Sequence, residues 1–119
     1  MENHKLVLPE HLNQYGFLFG GNLLKWVDEY AWIAASLDFP GCNFVTIGMD
    51  RVEFKKSVRE GTILKFIAEN NGTGNTSVRY RVQVFHGNNV AAEKQLIFTT
   101  HVTFVRVDDQ GRKTTLPKP

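Results

Sequence analysis

The run from Asn22 to Leu37, NLLKWVDEYAWIAASL, contains neither glycine nor proline, and it is bracketed by Gly20-Gly21 on one side and Phe39-Pro40-Gly41 on the other. Its apolar residues recur at three- and four-residue spacing, which predicts one helix of about four turns, starting at Gly21 and halted before Pro40. Beyond it the period changes to two. Phe44 to Phe54, Thr62 to Asn70, Thr76 to His86 and Glu93 to Val107 read as strands, divided by Gly61, by Gly72 and Gly74, and by the turn His86-Gly87-Asn88-Asn89. A short strand, Lys5 to Leu8, precedes the helix and stops at Pro9. The expected architecture is α+β: a long central helix wrapped by a curved antiparallel sheet. A single helix leaves edge strands and apolar surface in need of cover, and side-by-side self-association supplies it.

At 119 residues and 42% hydrophobic content the chain suits one domain, residues 1–119. It carries no internal repeat or low-complexity segment. The formal net charge of +2, with no block of like charge, offers no tail for nucleic acid. No apolar run resembles a signal peptide or reaches the roughly 20 residues needed to cross a bilayer, so neither a membrane partner nor a membrane location is expected. Cys42 is the only cysteine, which excludes an intrachain disulfide and a four-cysteine metal site, and a reducing, cytoplasmic setting fits best.

Other chemistries are missing their residues. Histidines at positions 4, 11, 86 and 101 form no HExxH pattern or zinc spacing, and His101 reads as an interior or interface residue, so no metal is expected. Ser36, Ser57 and Ser77 lack a nucleophile-elbow context, and Cys42 lacks a paired base, which argues against a serine or cysteine esterase. No glycine-rich nucleotide loop is present.

Helical phase is more informative. Asn22, Lys25, Glu29 and Ser36 gather on one side, Leu23, Val27, Tyr30 and Ala34 on another, and Asp28 falls between them beside Leu24, Ala31 and Ala35. A carboxylate beside an apolar stripe is less hydrated and so a stronger general base; the same position also suits a surface charge paired with Lys25. Asn13 lies in the loop that leads through Gly16 to Gly20-Gly21. Unpaired N–H groups there, on the Gly20-Gly21 backbone, suit an oxyanion, while a turn followed by a capped helix start explains the same residues.

Two polar clusters suit coenzyme-sized anions. Arg79 and Arg81 share the polar side of their strand, and Arg112 forms a second basic spot; each fits a phosphate contact or a solvated face. Gly74, Asn75, Thr76 and Ser77 suit a phosphate or pantetheine cradle, or an ordinary hairpin turn.

The run Asn13-Gln14-Tyr15-Gly16, then Phe19-Gly20-Gly21 and Leu23-Leu24 leading to Asp28, resembles the acyl-CoA hydrolases of the hotdog superfamily, particularly the YciA-like branch. The resemblance continues through Val45-Thr46, Asp50, Phe54, Gly61, Gly74, Thr76-Ser77, Phe104-Val105, Asp108, Gly111-Arg112 and Thr115 to Pro117. It implies a hotdog fold and thioester hydrolysis, with Asp28 as general base or nucleophile. It also implies that Asn13 positions substrate or water from the neighbouring subunit, and that the backbone at Gly21 polarises the carbonyl. Coenzyme A, part of substrate and product rather than a cofactor, is expected against Gly74 to Arg81 with help from the C-terminal segment; Asn75 stands where such proteins often carry arginine. The implied assembly is a homodimer at minimum, extended to a trimer of dimers. Competing expectations are a non-catalytic acyl-CoA binding module, a hotdog hydratase or dehydratase, and a purely structural sheet protein.

Overall fold

The computed structural model describes residues 1–88 and 95–117. The element order is β1 (Glu2–Leu6), a single 3₁₀ turn (Pro9–His11), α1 (Gly20–Asp38), β2 (Asn43–Phe54), β3 (Ile63–Thr73), β4 (Ser77–His86) and β5 (Leu96–Val107). Every strand pairing is antiparallel, in the order β1-β3-β4-β5-β2. Glu93, the expected start of the last strand, and Asn89 of the expected turn lie outside the described residues.

The helix forms where the period predicts it. Leu23, Trp26, Val27, Ala31, Ala34 and Ala35 are buried against the sheet, whose inner face alternates in step: Leu64, Phe66 and Ala68 on β3, Val78, Tyr80, Val82 and Val84 on β4, Val102 and Phe104 on β5. Each of the Val, Leu and Phe side chains so removed from water contributes roughly 1.5–3 kcal/mol, and each Ala less. The first strand lies earlier than its expected span of Lys5 to Leu8. Val7 is fully buried instead, and its backbone exchanges hydrogen bonds with Gly61 and Thr62 before Pro9 turns the chain away.

The expected curved sheet wrapped around the helix is not what forms. β1 and β2 are the two ends of the strand order and do not pair with each other, so the sheet is open and is not strongly curled, and α1 lies against one face of it. The register shifts in β2, at Thr46/Gly48 and Asp50/Glu53, bend that strand locally without closing the sheet. The physical reason is width: five strands about 4.8 Å apart make a layer that can floor a helix about 10 Å across but cannot encircle it. Trp32 and Leu37, which would need such a wrap, are 44% and 65% exposed.

β2 runs back along α1. Phe44 sits beside Trp32, whose indole N–H donates to the Phe44 carbonyl at 3.2 Å; Thr46 sits beside Asp28, and Phe54 reaches Gly20 at the helix start. This seam between helix and edge strand carries the candidate site. No helix among the described residues is long and apolar enough to cross a membrane.

Candidate active site

Asp28 occupies the middle of the seam. Its side chain is half-buried, and its Oδ1 accepts a 2.7 Å hydrogen bond from the Thr46 hydroxyl. Among the described residues it forms no ion pair, with Lys25 or any other cation, and Oδ2 accepts no protein hydrogen bond. The carboxylate is thus oriented by one neutral donor and keeps an oxygen available for water. Thr46 entered the sequence reading only within a longer resemblance. Its signal was a hydroxyl at the inward phase of β2, two residues after the buried Phe44.

At the helix start, the N-cap residue Phe19 offers no side-chain acceptor and the first turn holds no acidic residue. Among the described residues the amides of Gly20 and Gly21 donate to no protein acceptor, which leaves them at the positive end of the helix. A Cβ at Gly21 would meet the Phe19 ring at 2.7 Å, so a larger residue there would push that exposed ring aside. Asn13 stands opposite. Its Oδ1 accepts from the Tyr15 and Phe17 amides at 2.9 and 3.1 Å, fixing the loop, and its side-chain NH₂ donates to no protein group among the described residues. The oxygen of Asn13 thus builds the turn, and its nitrogen is left without a protein acceptor among the described residues. Asn13 and Gly20 line a cavity of about 440 Å³ with Phe17, Leu18, Leu23 and Phe54.

Asp28 and this N-terminal cavity do not meet within one chain. Eight helical positions separate Asp28 from Gly20, about 12 Å along the axis.

The expected coenzyme-binding residues divide in the same way. Gly74 and Asn75 line a second cavity, about 1120 Å³, beyond the C-terminal end of α1, with Asp38, Asn70, Thr73 and Thr115. The turn is tied down by Gly74 N–H donating to the Ser77 carbonyl, and by the Thr76 and Asn75 carbonyls accepting from Arg106 and Leu116. Arg79 and Arg81 lie on the outer face of the sheet instead, the opposite phase from buried Val78 and Tyr80, and they pair with Asp50 at 3.2 Å and Glu69 at 2.9 Å. Arg112 is exposed in the turn after β5, held by Gln110 and near Asp108. Among the described residues no basic side chain lines the second cavity. His101 also faces outward, next to Asp50; burial and then the charge of Arg79 lower its pKa, against the opposing pull of Asp50.

Tyr80 links the C-terminal cavity to the core. Its hydroxyl donates to the Asp38 carboxylate at 2.6 Å, and burial, followed by that hydrogen bond, raises its pKa well above the ordinary phenol value. Among the described residues no group of His, Cys, Asp and Glu is arranged to hold a metal.

Comparison with known proteins agrees with this layout. The profile of the thioesterase superfamily matches residues 15–93. A mouse acyl-coenzyme A thioesterase 11 is 36% identical over 91 residues, which is 76% of this chain and 15% of that protein; the next two relatives, both bacterial, are spanned for 64% of their length. Among solved structures, an acyl-CoA hydrolase of Staphylococcus aureus in complex with butyryl coenzyme A and coenzyme A superposes with a TM-score of 0.88 at 31% identity, covering 98% of this chain and 71% of that one. The same hydrolase has been solved with an asparagine, an aspartate or a threonine replaced by alanine. A hexameric thioesterase of Yersinia pestis superposes with a TM-score of 0.89 at 28% identity, covering 98% and 94%. The helix laid on an open antiparallel sheet and the matched family together identify the chain as a hotdog-fold member of the thioesterase superfamily.

Proposed function

We propose that the chain is an acyl-CoA thioesterase of the YciA-like branch, acting as a homodimer at minimum and as a trimer of dimers in its full assembly. Asp28 takes a proton from water, and the resulting hydroxide adds to the thioester carbonyl. The tetrahedral oxyanion is held by the Gly21 amide, with the Asn13 side-chain NH₂ orienting substrate or water. Collapse breaks the carbon–sulfur bond, coenzyme A leaves as a thiolate, and the proton returns to it. Direct attack by Asp28 through an anhydride reaches the same products.

The observation that carries this reading is the Asp28–Thr46 pair at the centre of the seam. In the S. aureus hydrolase the replaced asparagine and aspartate stand at the same interval as Asn13 and Asp28, with a threonine also chosen for replacement. The separation of about 12 Å within one chain supports a site shared between two copies, because no carbonyl can touch both groups of one helix. The unpaired edge of β2, with Val45 and Ile47 exposed beside Trp32, is an apolar border across which a two-fold partner can set its helix start against Asp28. The Yersinia thioesterase is hexameric, in keeping with the larger assembly.

Coenzyme A is assigned to the cavity at Gly74 and Asn75, with Thr76 and Ser77 in its turn. Ten helical positions, about 15 Å, separate Asp28 from Asp38 at the rim, a span suited to an extended pantetheine arm. The lining carries neutral amides and hydroxyls that match the arm's own amides. Phosphates fall to Arg112, and to Arg79 and Arg81 only where a phosphate displaces Asp50 or Glu69.

The test is hydrolysis of an acyl-CoA length series by the parent chain and by Asp28→Asn. Loss of a general base predicts a fall of about 10²–10⁴-fold in kcat, with melting temperature and oligomer size unchanged. Near-normal turnover by the variant would remove Asp28 from the mechanism, and saturable binding without turnover by the parent would make the chain a binding module.

A further inference from the structure

The apolar walls of the cavity at the helix start differ in exposure. Leu23, its floor, is 2% exposed, whereas Phe54 is 52% exposed and stands at the mouth. The opposite wall is pinned: Leu18 N–H donates to the Val58 carbonyl at 2.7 Å, and the Phe17 ring lies 5.0 Å beneath the Arg59 guanidinium. Phe54 is aimed by a distortion of its own strand. Register slips between Asp50 and Glu53, and Arg51 adopts φ +54, a conformation that side chains other than glycine rarely take. The result swings the last residue of β2 over the helix start. There the tip of its ring would meet a Cβ on Gly20 at 3.2 Å, so the ring rests on bare backbone at one edge and on Phe98, with ring centroids 4.9 Å apart, at the other.

The geometry points to Phe54 as the residue that limits acyl-chain length, the 440 Å³ cavity behind it receiving the acyl tail of a short- to medium-chain acyl-CoA. This inference rests on the proposed thioester hydrolysis. The occupant follows from what surrounds the cavity. The free NH₂ of Asn13 and the Gly20 backbone, next to the Gly21 amide, stand where a thioester carbonyl is proposed to sit; the buried part of the lining, Leu23 and Val58 with Phe17 and Leu18, accepts hydrocarbon, while Lys55, Lys56 and Ser57, all exposed, complete the cavity. Its volume is near the lower end of the roughly 300–1,000 Å³ of ordinary ligand sites, which suits a short tail. Of the apolar walls Phe54 is the one that combines bulk with exposure, so its size sets how far a chain can extend.

The experiment compares parent, Phe54→Ala and Phe54→Trp over a series of saturated acyl-CoAs, reading kcat/KM for hydrolysis and, in parallel, affinity for non-hydrolysable thioether analogues of the same lengths. Removing the ring shifts the optimum to longer chains, with about a fourfold gain for each methylene newly admitted. The larger indole shifts it to shorter ones. General damage from loss of the Phe98 contact would lower all lengths together, and thermal melting of each variant separates that case. An unchanged length profile in both variants, by hydrolysis and by analogue affinity, overturns the role of Phe54. A parent that binds the analogues without turning over substrate defeats the hydrolase reading instead, while the shift in analogue preference still decides the role of the ring.

Discussion

The N-terminal end of α1 offers uncapped amides, a free asparagine NH₂ and a small cavity with an apolar floor; the C-terminal end offers a cavity more than twice as large, lined by hydroxyls and amides around Asp38. The difference follows the helix dipole. Developing negative charge on a carbonyl oxygen is stabilised at the first end and opposed at the second, where a carboxylate already sits. Asp28 lies between them, on the seam with β2. On the proposed mechanism one helix separates the tasks: oxyanion and acyl tail at the positive end, proton transfer at the centre, and the neutral arm of coenzyme A at the negative end.

Beyond Asp28 itself, the largest effect that can break this division is at Asn13. Asn13→Asp keeps the oxygen that accepts from the Tyr15 and Phe17 amides but replaces the NH₂ with an acceptor. If the positive end polarises the thioester, kcat should fall about 10²–10³-fold with the loop and melting temperature preserved, as for loss of one oxyanion donor. Turnover within a few-fold of the parent would reduce Asn13 to a turn residue. A smaller effect is expected at the centre. Thr46→Val removes the one side chain that, among the described residues, donates to Asp28, while keeping side-chain volume, and the less constrained carboxylate should lower kcat about tenfold, with KM little changed. A change in KM alone would instead connect Thr46 to binding.

How far these features were legible depends on whether their causes are local. The helix and β4 were readable because Gly-Gly and Phe-Pro-Gly bracket the one, and strict alternation from Val78 to Val84 writes the other. Asp28 was readable as marginal from helical phase alone. Its bond to Thr46 was not, since it spans the seam between elements, and neither was the turn of Phe54 over Gly20, which depends on a bulge with no glycine at Arg51 to announce it. Arg79 and Arg81 were placed correctly on the polar side of their strand, but their partners Asp50 and Glu69 come from strands on either side. The curved wrap was not legible as wrong because alternation along each strand says nothing of how far a five-stranded sheet bends; Trp32 and Leu37, on the helix surface the open sheet leaves uncovered, stay exposed.

The smallest expected effect sharpens the account of the negative end. A carboxylate in the last residue of a helix opposes the dipole, and the Tyr80 hydroxyl, reaching out from the core, is the donor that offsets it. Tyr80→Phe preserves the ring that packs on Phe104 and removes only that donor; with Asp38 exposed to water, the loss of stability should be about 1 kcal/mol. The pH dependence has a definite sign. Because the folded state raises the Tyr80 pKa above its value of about 10 in the unfolded chain, folded protein retains a proton that unfolded protein gives up. Stability therefore falls as pH rises above about 10 in the parent, and Tyr80→Phe should lack that part of the fall. Denaturant melts of both proteins across that range measure it, and parallel curves would mean that the hydroxyl is not what holds Asp38 at the rim of the coenzyme cavity.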